Sequence, residues 1–505
     1  TGDVENFGTI RTDGMTALLG QTVANFGTIV SAQDSVVMAA GDQILFGERD
    51  GHIFADIASF KPNQARVENS GIITANKDNG RVLLAAGDAL GLFAIVHSGA
   101  IEAHSVRLQG QGEGIVEVSG TINAEKSVHV TGETIGILDE ASISASDNFG
   151  GGEVLIGGDQ EGLNPDVRNA KNVFVGPNAT LSADARISGK GGKLIVYGDQ
   201  FAIVLGTLTA KGAAGSDGGF IETSGKRYFV IAKAPEMGNN GTWLIDPYNI
   251  TIVDSTTSTN LTQTPGDPYT FEPDGMGDEV EIGVDLIIDA LTSALGTSNV
   301  IIKTTTGDPD VGGAVGNITL AAILNFHGIE TDNDADTFDT LTLEANNDIM
   351  IYHDVWDLGN NGMNNNPTAG DESLNLTLNA GGDIIIGGTT TTDYGTNDLN
   401  DDVVLGDGTF TATGNSIRMG DPTLPGILAK TIDLTATGGD IGQDSSFLRV
   451  LSLDLNGNPG IVSANTSDGD SGLDNDNNIY IQNAITSTFS DDVLPLGLID
   501  AGNSG

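Results

Sequence analysis

The 505-residue chain contains no cysteine. That excludes disulfides, thiolate nucleophiles and zinc–thiolate centres, and leaves the redox compartment open. Cations are scarce: 21 Lys and Arg stand against 69 Asp and Glu, for a formal net charge of −48. Such a chain is repelled by polyanions and by anionic membrane surfaces, so nucleic-acid binding is excluded as a function class. Aromatic residues are few at 5% and prolines number only 14, whereas the 71 glycines are about double average usage. With no Gly-X-Y period, that glycine content points to repeated tight turns and away from collagen. No apolar run is long enough to span a bilayer, because the longest, Val82 to Val96, is interrupted by Asp88. No membrane insertion is expected. Thr1 does not head a basic-then-apolar leader, and the chain opens as if already inside a repeat, so it reads as a mature or excised piece.

The first half repeats itself. Val4-Glu5-Asn6-Phe7-Gly8-Thr9-Ile10 returns as Val23-Ala24-Asn25-Phe26-Gly27-Thr28-Ile29 and again as Val67-Glu68-Asn69-Ser70-Gly71-Ile72-Ile73. Looser copies follow at Ser98 to Ala103, Val118 to Ala124, Ala141 to Ala145 and Leu205 to Ala210. Between them lie short β-branched runs, such as Ser35 to Ala39, Arg81 to Ala85, Ser127 to Val130 and Lys193 to Tyr197, each bounded by Gly, Asn or Asp. One such strand cannot bury an inner face alone. Coils of about 20 residues stacked at roughly 4.8 Å build a continuous apolar core, which is the geometry of a parallel β-helix. Antiparallel hairpins of a β-sandwich give no reason for near-identical motifs at coil length. Length therefore counts coils and not globular domains.

The second half keeps this logic with longer excursions. Leu341 to Ile349 (LTLEANNDI) is matched by Leu376 to Ile384 (LTLNAGGDI) and by Asp433 to Ile441 (DLTATGGDI). The inserts Thr331 to Thr337, Asp354 to Asp371, Thr389 to Asp402 and Thr466 to Asn478 are rich in Asn, Asp and Gly and read as surface loops. One helix is expected, over Val284 to Leu295, where Ile287, Ile288, Leu291 and Leu295 share a face and cap or lean on the solenoid. A soft boundary falls near residue 235. Residues 1–235 form a regular β-helix, and 236–505 an acidic Asn/Asp/Thr/Gly-rich continuation. The charge changes there too: 17 basic and 27 acidic residues up to Ala234, then 4 basic and 42 acidic.

Gly218-Gly219-Phe220-Ile221-Glu222-Thr223-Ser224-Gly225, followed by Gly241-Thr242-Trp243-Leu244-Ile245-Asp246-Pro247-Tyr248-Asn249-Ile250-Thr251-Ile252, resembles a "GGFVETSG … WLLDPxNITI" junction. That junction belongs to the large filamentous-haemagglutinin-like, two-partner-secreted exoproteins. The "LTLNAGGDI" coils are similar to that family as well, so the resemblance covers nearly the whole chain. It implies an all-β fold, a right-handed parallel β-helix, carried through an outer-membrane transporter to the cell surface or medium of a Gram-negative-type bacterium. Absence of cysteine suits a passenger that crosses unfolded. The family's N-terminal secretion domain is not recognisable here, and no adhesive residue is carried over from it.

Carboxylate clusters are the candidate metal sites. Asp332, Asp334 and Asp336 form one; Asp468, Asp470, Asp474 and Asp476 form the other. Calcium, which takes roughly six to eight oxygens, is the one candidate cofactor, although neither cluster follows the EF-hand or nonapeptide calcium pattern. The bland reading is that acidic loops keep a long fibre soluble and unassociated. Catalytic residues are not assigned and an enzyme is not expected. A polysaccharide lyase needs a base and a cation, the second half offers only Lys303, Arg418, Lys430 and Arg449, and no cluster of Asp, Glu and His at matched coil positions stands out in the first. The six histidines show no ligand spacing, with His97 and His104 read as turn residues and His353, beside Asp354 and Trp356, as a loop contact. Seven sequons occur, at Asn178, Asn240, Asn249, Asn260, Asn317, Asn375 and Asn465. Asn249 and Asn317 begin strands, and asparagine ladders along stacked turns are the expected use for several of the seven. Trp356 is the available ring for a carbohydrate face, since Trp243 reads as packed. The expected function is a structural or adhesive surface rod. Its partners are a host or neighbouring-cell surface, with carbohydrate as the ligand chemistry. The alternatives are a filament subunit joined end to end and, distantly, a polysaccharide-degrading enzyme.

Overall fold

The computed structural model describes residues 2–49, 52–58, 65–88, 93–138, 140–254, 261–263, 271–273, 280–292, 297–305, 316–326, 338–357, 373–387, 403–420, 426–443, 447–452, 460–466, 478–483 and 496–500. The chain divides into two units, 1–244 with 259–276, and 245–258 with 277–505. Each is a stack of parallel β-coils.

In the first unit the coils contribute strands to three faces. The first face runs Val4–Asn6, Thr22–Asn25, Arg66–Asn69, Phe93–His97, Ile115–Val118, Thr134–Ile137, Asn172–Val175, Phe201–Val204 and Tyr228–Ile231, all parallel. The repeats read from sequence lie on one another: Val4 pairs Val23, Val23 pairs Val67, and Asn6, Asn25 and Asn69 form one column. The second face stacks Ile10, Ile29, Ile73, Ile101, Ile122, Ile143, Leu181 and Leu208. The third stacks Thr16, Val36, Val82, Val106, Val128, Val154, Leu194, Ile221 and Trp243. Apart from Trp243, these inward columns are β-branched or aliphatic, because a coil can bury an inner face only against its neighbours. Val82, Val106, Val128 and Val154 are almost wholly inaccessible.

The Asn column turns inward at the first corner, where its polar groups need partners. Gly8 N–H donates to Asn6 Oδ1 at 3.1 Å, Asn6 Nδ2 donates to Asn25 Oδ1 at 2.8 Å, and Asn25 Nδ2 donates to Asn69 Oδ1 at 2.8 Å. Asn69 Nδ2 then meets His97 Nδ1 at 3.1 Å, and His97 Nε2 meets the Thr121 carbonyl at 3.1 Å. A main-chain donor at one end and a main-chain acceptor at the other fix the polarity, so His97 Nδ1 accepts and Nε2–H donates. His97 is therefore no turn residue. It ends a strand, fully buried, and closes the ladder where the next residue in the column, Val118, has nothing to accept with. His104 likewise lies inside the strand Ala100–Gly110, at its register shift, and bonds the Lys77 carbonyl at 3.0 Å.

From the second coil onward, the glycine two residues after this corner position is required sterically. A Cβ on Gly27, Gly71, Gly99 or Gly120 would sit 2.0–2.2 Å from the carbonyl oxygen of the glycine one coil earlier. That same oxygen accepts from the next coil, as in Ile72 N–H to Gly27 O at 2.9 Å.

The second unit repeats the scheme. Ser298–Lys303, Phe338–Ala345, Ser373–Ala380, Thr409–Gly414, Thr431–Ala436, Ile461–Thr466 and Leu496–Asp500 form its long face. A second face carries the isoleucine column Ile250, Ile318, Ile349, Ile384 and Ile417, continued by single bridges through Ile441 and Ile479. A third is built of short strands, among them Leu324–Asn325, Val355–Trp356, Val403–Val404 and Ile427–Leu428. Val355 and Trp356 belong to this sheet and not to the insert expected from Asp354, because Val355 fills the inward column with Leu324, Val403 and Ile427. The residue before each isoleucine forms a polar corner ladder. Asn249 Oδ1 accepts from Asn317 N–H at 2.9 Å, Asn317 Oδ1 from Asn347 Nδ2 at 2.9 Å, and Asp348 Oδ1 from Asp383 N–H at 2.7 Å. Two of the seven sequons are thus ladder residues placed directly before strands. The helix spans Val284–Thr292 and buries Leu286, Ile287, Ala290 and Leu291; Leu295 lies outside the described residues. Asp285 and Asp289 share its exposed side, and burial together with Asp285 raises the Asp289 carboxyl above its ordinary value.

Two measurements test this account. Gly71→Ala is expected to lose about 1–3 kcal/mol in urea unfolding through overpacking, whereas Gly14→Ala, with open space around it, stays within about 0.5 kcal/mol of wild type. Burial lowers the His97 pKa below its ordinary 6.5 against the opposing pull of the bonds to Thr121 and Asn69. The unfolded chain therefore binds this proton first. His97's share of stability is complete above 6.5 and falls as pH drops below it, by about 1.4 kcal/mol per pH unit while the folded ring stays neutral. Urea midpoints between pH 7.5 and 5.5 check this, with His97→Asn expected to remove that component of the slope.

Candidate functional site

Outward positions on the third face of the first unit differ along the stack. At one end Val37, Ala39, Leu83 and Ala85 are covered by the antiparallel hairpin Gln43–Arg49/His52–Ala58, whose Ile44 and Ile57 pack on them with Leu19. Further on, Leu155, Ile195 and Tyr197 are covered by Val167 of the 157–171 loop, with Phe220 beside them. Between the two covers the sheet turns polar. Ser105 and Arg107 on one coil are in register with Ser127 and His129 on the next, while Val106, Leu108, Val128 and Val130 point into the core.

The 157–171 loop is held down by a polar clasp. Its Arg168 donates to the Gly110 and Gly112 carbonyls at 3.0 and 2.7 Å and to Glu133 at 2.7 Å. Asp159 opens a short 3-10 turn over Gln160–Gly162, accepts from Asn164 Nδ2 at 2.7 Å and pairs with Lys193. Lys193 also lies 3.8 Å from Glu153, whose other oxygen is 2.7 Å from His129 Nε2. That hydrogen bond from His129 holds the Glu153 carboxyl below its ordinary value. Burial by itself would raise Asp159, but Asn164, Lys193 and the Gln160 N–H together hold it down. Both carboxylates are thus kept ionised by basic partners and suit holding a loop better than donating a proton near neutrality.

The junction motif is spent on the same architecture. Glu222, Thr223, Ser224 and Trp243 are entirely buried. Glu222 accepts the Glu161 N–H with both oxygens, at 3.1 and 3.0 Å, and so ties the loop to the sheet. Thr223 Oγ1 accepts the Trp243 indole N–H at 2.8 Å, joining consecutive coils inside the core.

What remains open is a groove between the hairpin and the loop. Arg81, Arg107, Lys126, His104 and His129 line it together with Ser105 and Ser127, and no carboxylate among the described residues does. Elsewhere the acids claim the cations: Arg66 has Glu68 at 3.0 Å, Lys77 has Glu102 at 3.4 Å, Lys190 has Asp217 at 2.6 Å and Lys171 has Glu133 at 2.5 Å. Arg107 carries no ion pair or hydrogen bond among the described residues, and burial alone pushes its pKa below the ordinary value. The guanidinium nonetheless stays charged. This grouping escaped sequence reading because its members come from separate coils. The available signal was Ser105-Val106-Arg107 repeated as Ser127-Val128-His129, 22 residues on.

The aspartates proposed for calcium, Asp332, Asp334, Asp336, Asp468, Asp470, Asp474 and Asp476, lie outside the described residues. Among the described residues no group of three or more His, Asp and Glu is placed to hold a metal, and no helix is long and apolar enough to cross a membrane. Trp356 is half-buried on the third face of the second unit, with its indole N–H turned away from solvent and unbonded. Compared with known proteins, the chain matches no family model and no curated protein sequence.

The clasp makes its own prediction. A carboxyl-selective NMR titration should find Glu153 ionising below the ordinary 4.5 and returning toward it in His129→Ala. Because the folded value is depressed, the Glu153 contribution to stability is present above 4.5 and is lost as pH falls through the lowered value. At 35% side-chain exposure it amounts to no more than about 1 kcal/mol.

Proposed function

We propose that the chain is a structural and adhesive rod displayed on, or released from, the surface of a Gram-negative-type bacterium after passage through an outer-membrane transporter. The observation that carries this reading is the use made of the junction motif. Its distinctive residues are all buried and serve cohesion: Thr223 and Trp243 join consecutive coils, and Glu222 ties the 157–171 loop to the sheet. A sequence signature invested in stacking suits a protein whose product is its shape. The resemblance to filamentous-haemagglutinin-like exoproteins supports the surface location, as a fold-level analogy. The strongly acidic surface suits an extended body that must stay dispersed. Partners in this reading are a host or neighbouring-cell surface, with carbohydrate as the ligand chemistry.

Negative-stain electron microscopy of the purified chain tests the reading. Coils at roughly 4.8 Å predict discrete rods on the order of 100 Å long. Long filaments with a repeat near that length would instead make end-to-end assembly the function. Globular particles would remove the rod altogether. If the aspartate clusters bind calcium at joints, chelator shortens or dissolves the assemblies; if they only solvate the surface, particle length is the same with and without it.

A further inference from the structure

We propose that the groove around Arg107 is a binding site for a tetrahedral oxyanion, sulfate or phosphate, free or carried as an ester on a larger ligand. In a chain of net charge −48 an arginine without an acid partner among the described residues is an exception, and this one also lies in a groove that no described carboxylate lines. Removing a guanidinium from water without a counter-charge is unfavourable, and an anion resting on it recovers that cost. The surrounding donors fit a three-dimensional acceptor. Ser105 Oγ accepts the Ser127 hydroxyl proton at 3.0 Å and keeps its own proton to give. Lys126 stands exposed at the rim with no partner among the described residues, and Arg81 lies at the coil on the other side. Arg107 and Ser105 on the floor and Lys126 at the rim thus approach from different directions, whereas a planar carboxylate is satisfied by one edge of an arginine. The cavity, about 100 Å3, takes one compact substituent. The groove is built on consecutive strands held in register, so the site is formed before a ligand arrives and little ordering opposes binding. The site is independent of the rod reading, since a chain that binds no anion can still be a rod.

Calorimetric titration of the full chain with inorganic sulfate, inorganic phosphate and acetate, at constant ionic strength set by sodium chloride, tests it. One saturable site for sulfate or phosphate is expected, with acetate at least tenfold weaker. Arg107→Gln should raise the dissociation constant at least tenfold, and Lys190→Gln, a cation remote from the groove, should leave it within twofold. If Arg107→Gln loses the native circular dichroism spectrum, Lys126→Gln at the exposed rim serves instead, with about a threefold weakening expected. A sulfated or phosphorylated monosaccharide that binds more tightly than the free ion assigns the site to an ester; equal affinity assigns it to the ion. No saturable heat in the wild type, acetate equal to sulfate, or undiminished affinity in the folded variants would overturn the site.

Discussion

Every other feature of this chain depends on parallel main-chain hydrogen bonding between consecutive coils in fixed register. An isolated coil leaves its strand N–H and C=O groups without partners and its apolar side chains wet. Stacking satisfies both at once, and it makes like positions lie on like. Once Val23 sits on Val4, then Asn25 must sit on Asn6 and Gly27 on Gly8. A column is therefore selected as a unit: a residue is acceptable only if it suits its copy above and its copy below.

This explains why the interior tolerates polar side chains at its corners. An asparagine amide carries both a donor and an acceptor, so a column of them satisfies itself except at its ends. In the first unit the ends are Gly8 N–H and Thr121 C=O, and the substitution that allows the column to stop is His97, which accepts with one nitrogen and donates with the other. In the second unit the corner ladder passes from Asn249 and Asn317 to Asp348 and Asp383 and uses main-chain N–H groups as donors, so each step needs only an acceptor in the side chain before it. The two solutions differ in their response to acid. The closing imidazole resists protonation because it is buried, whereas the amide members of either ladder do not titrate.

The fold was legible because its signal is redundancy. The copies at Val4, Val23 and Val67, the β-branched runs between them and the LTL-x-A-x-x-D-I coils each named an element that the structure contains, and stacking them required no long-range guess. The short helix was legible from its period. The groove was not. Its residues are ordinary surface types in sequence, and their meaning comes from neighbours one coil away, across spacings that vary with each insert. The hairpin at 43–58 and the loop at 157–171 interrupt the period, and a reading that follows the period treats them as noise. His97 was misplaced for a related reason: it follows the repeat's register, but its column partner is Asn69, which differs in type.

Those two interruptions give the first unit its chemical asymmetry. A β-helix face built only from the repeat would expose the same polar column along its whole length and offer no distinct place for a ligand. Covering the sheet at two places requires apolar outward residues under each cover, and the sequence supplies them at Val37, Leu83, Leu155 and Ile195. Between the covers the outward column returns to Ser, Arg and His. The acids that neutralise cations elsewhere are here committed to the clasp, with Glu153 engaged by His129 and Lys193, and Glu133 by Arg168 and Lys171. A positive groove in a strongly negative chain thus follows from where the carboxylates are spent, and the insertions that break the repeat cover the sheet to either side of it.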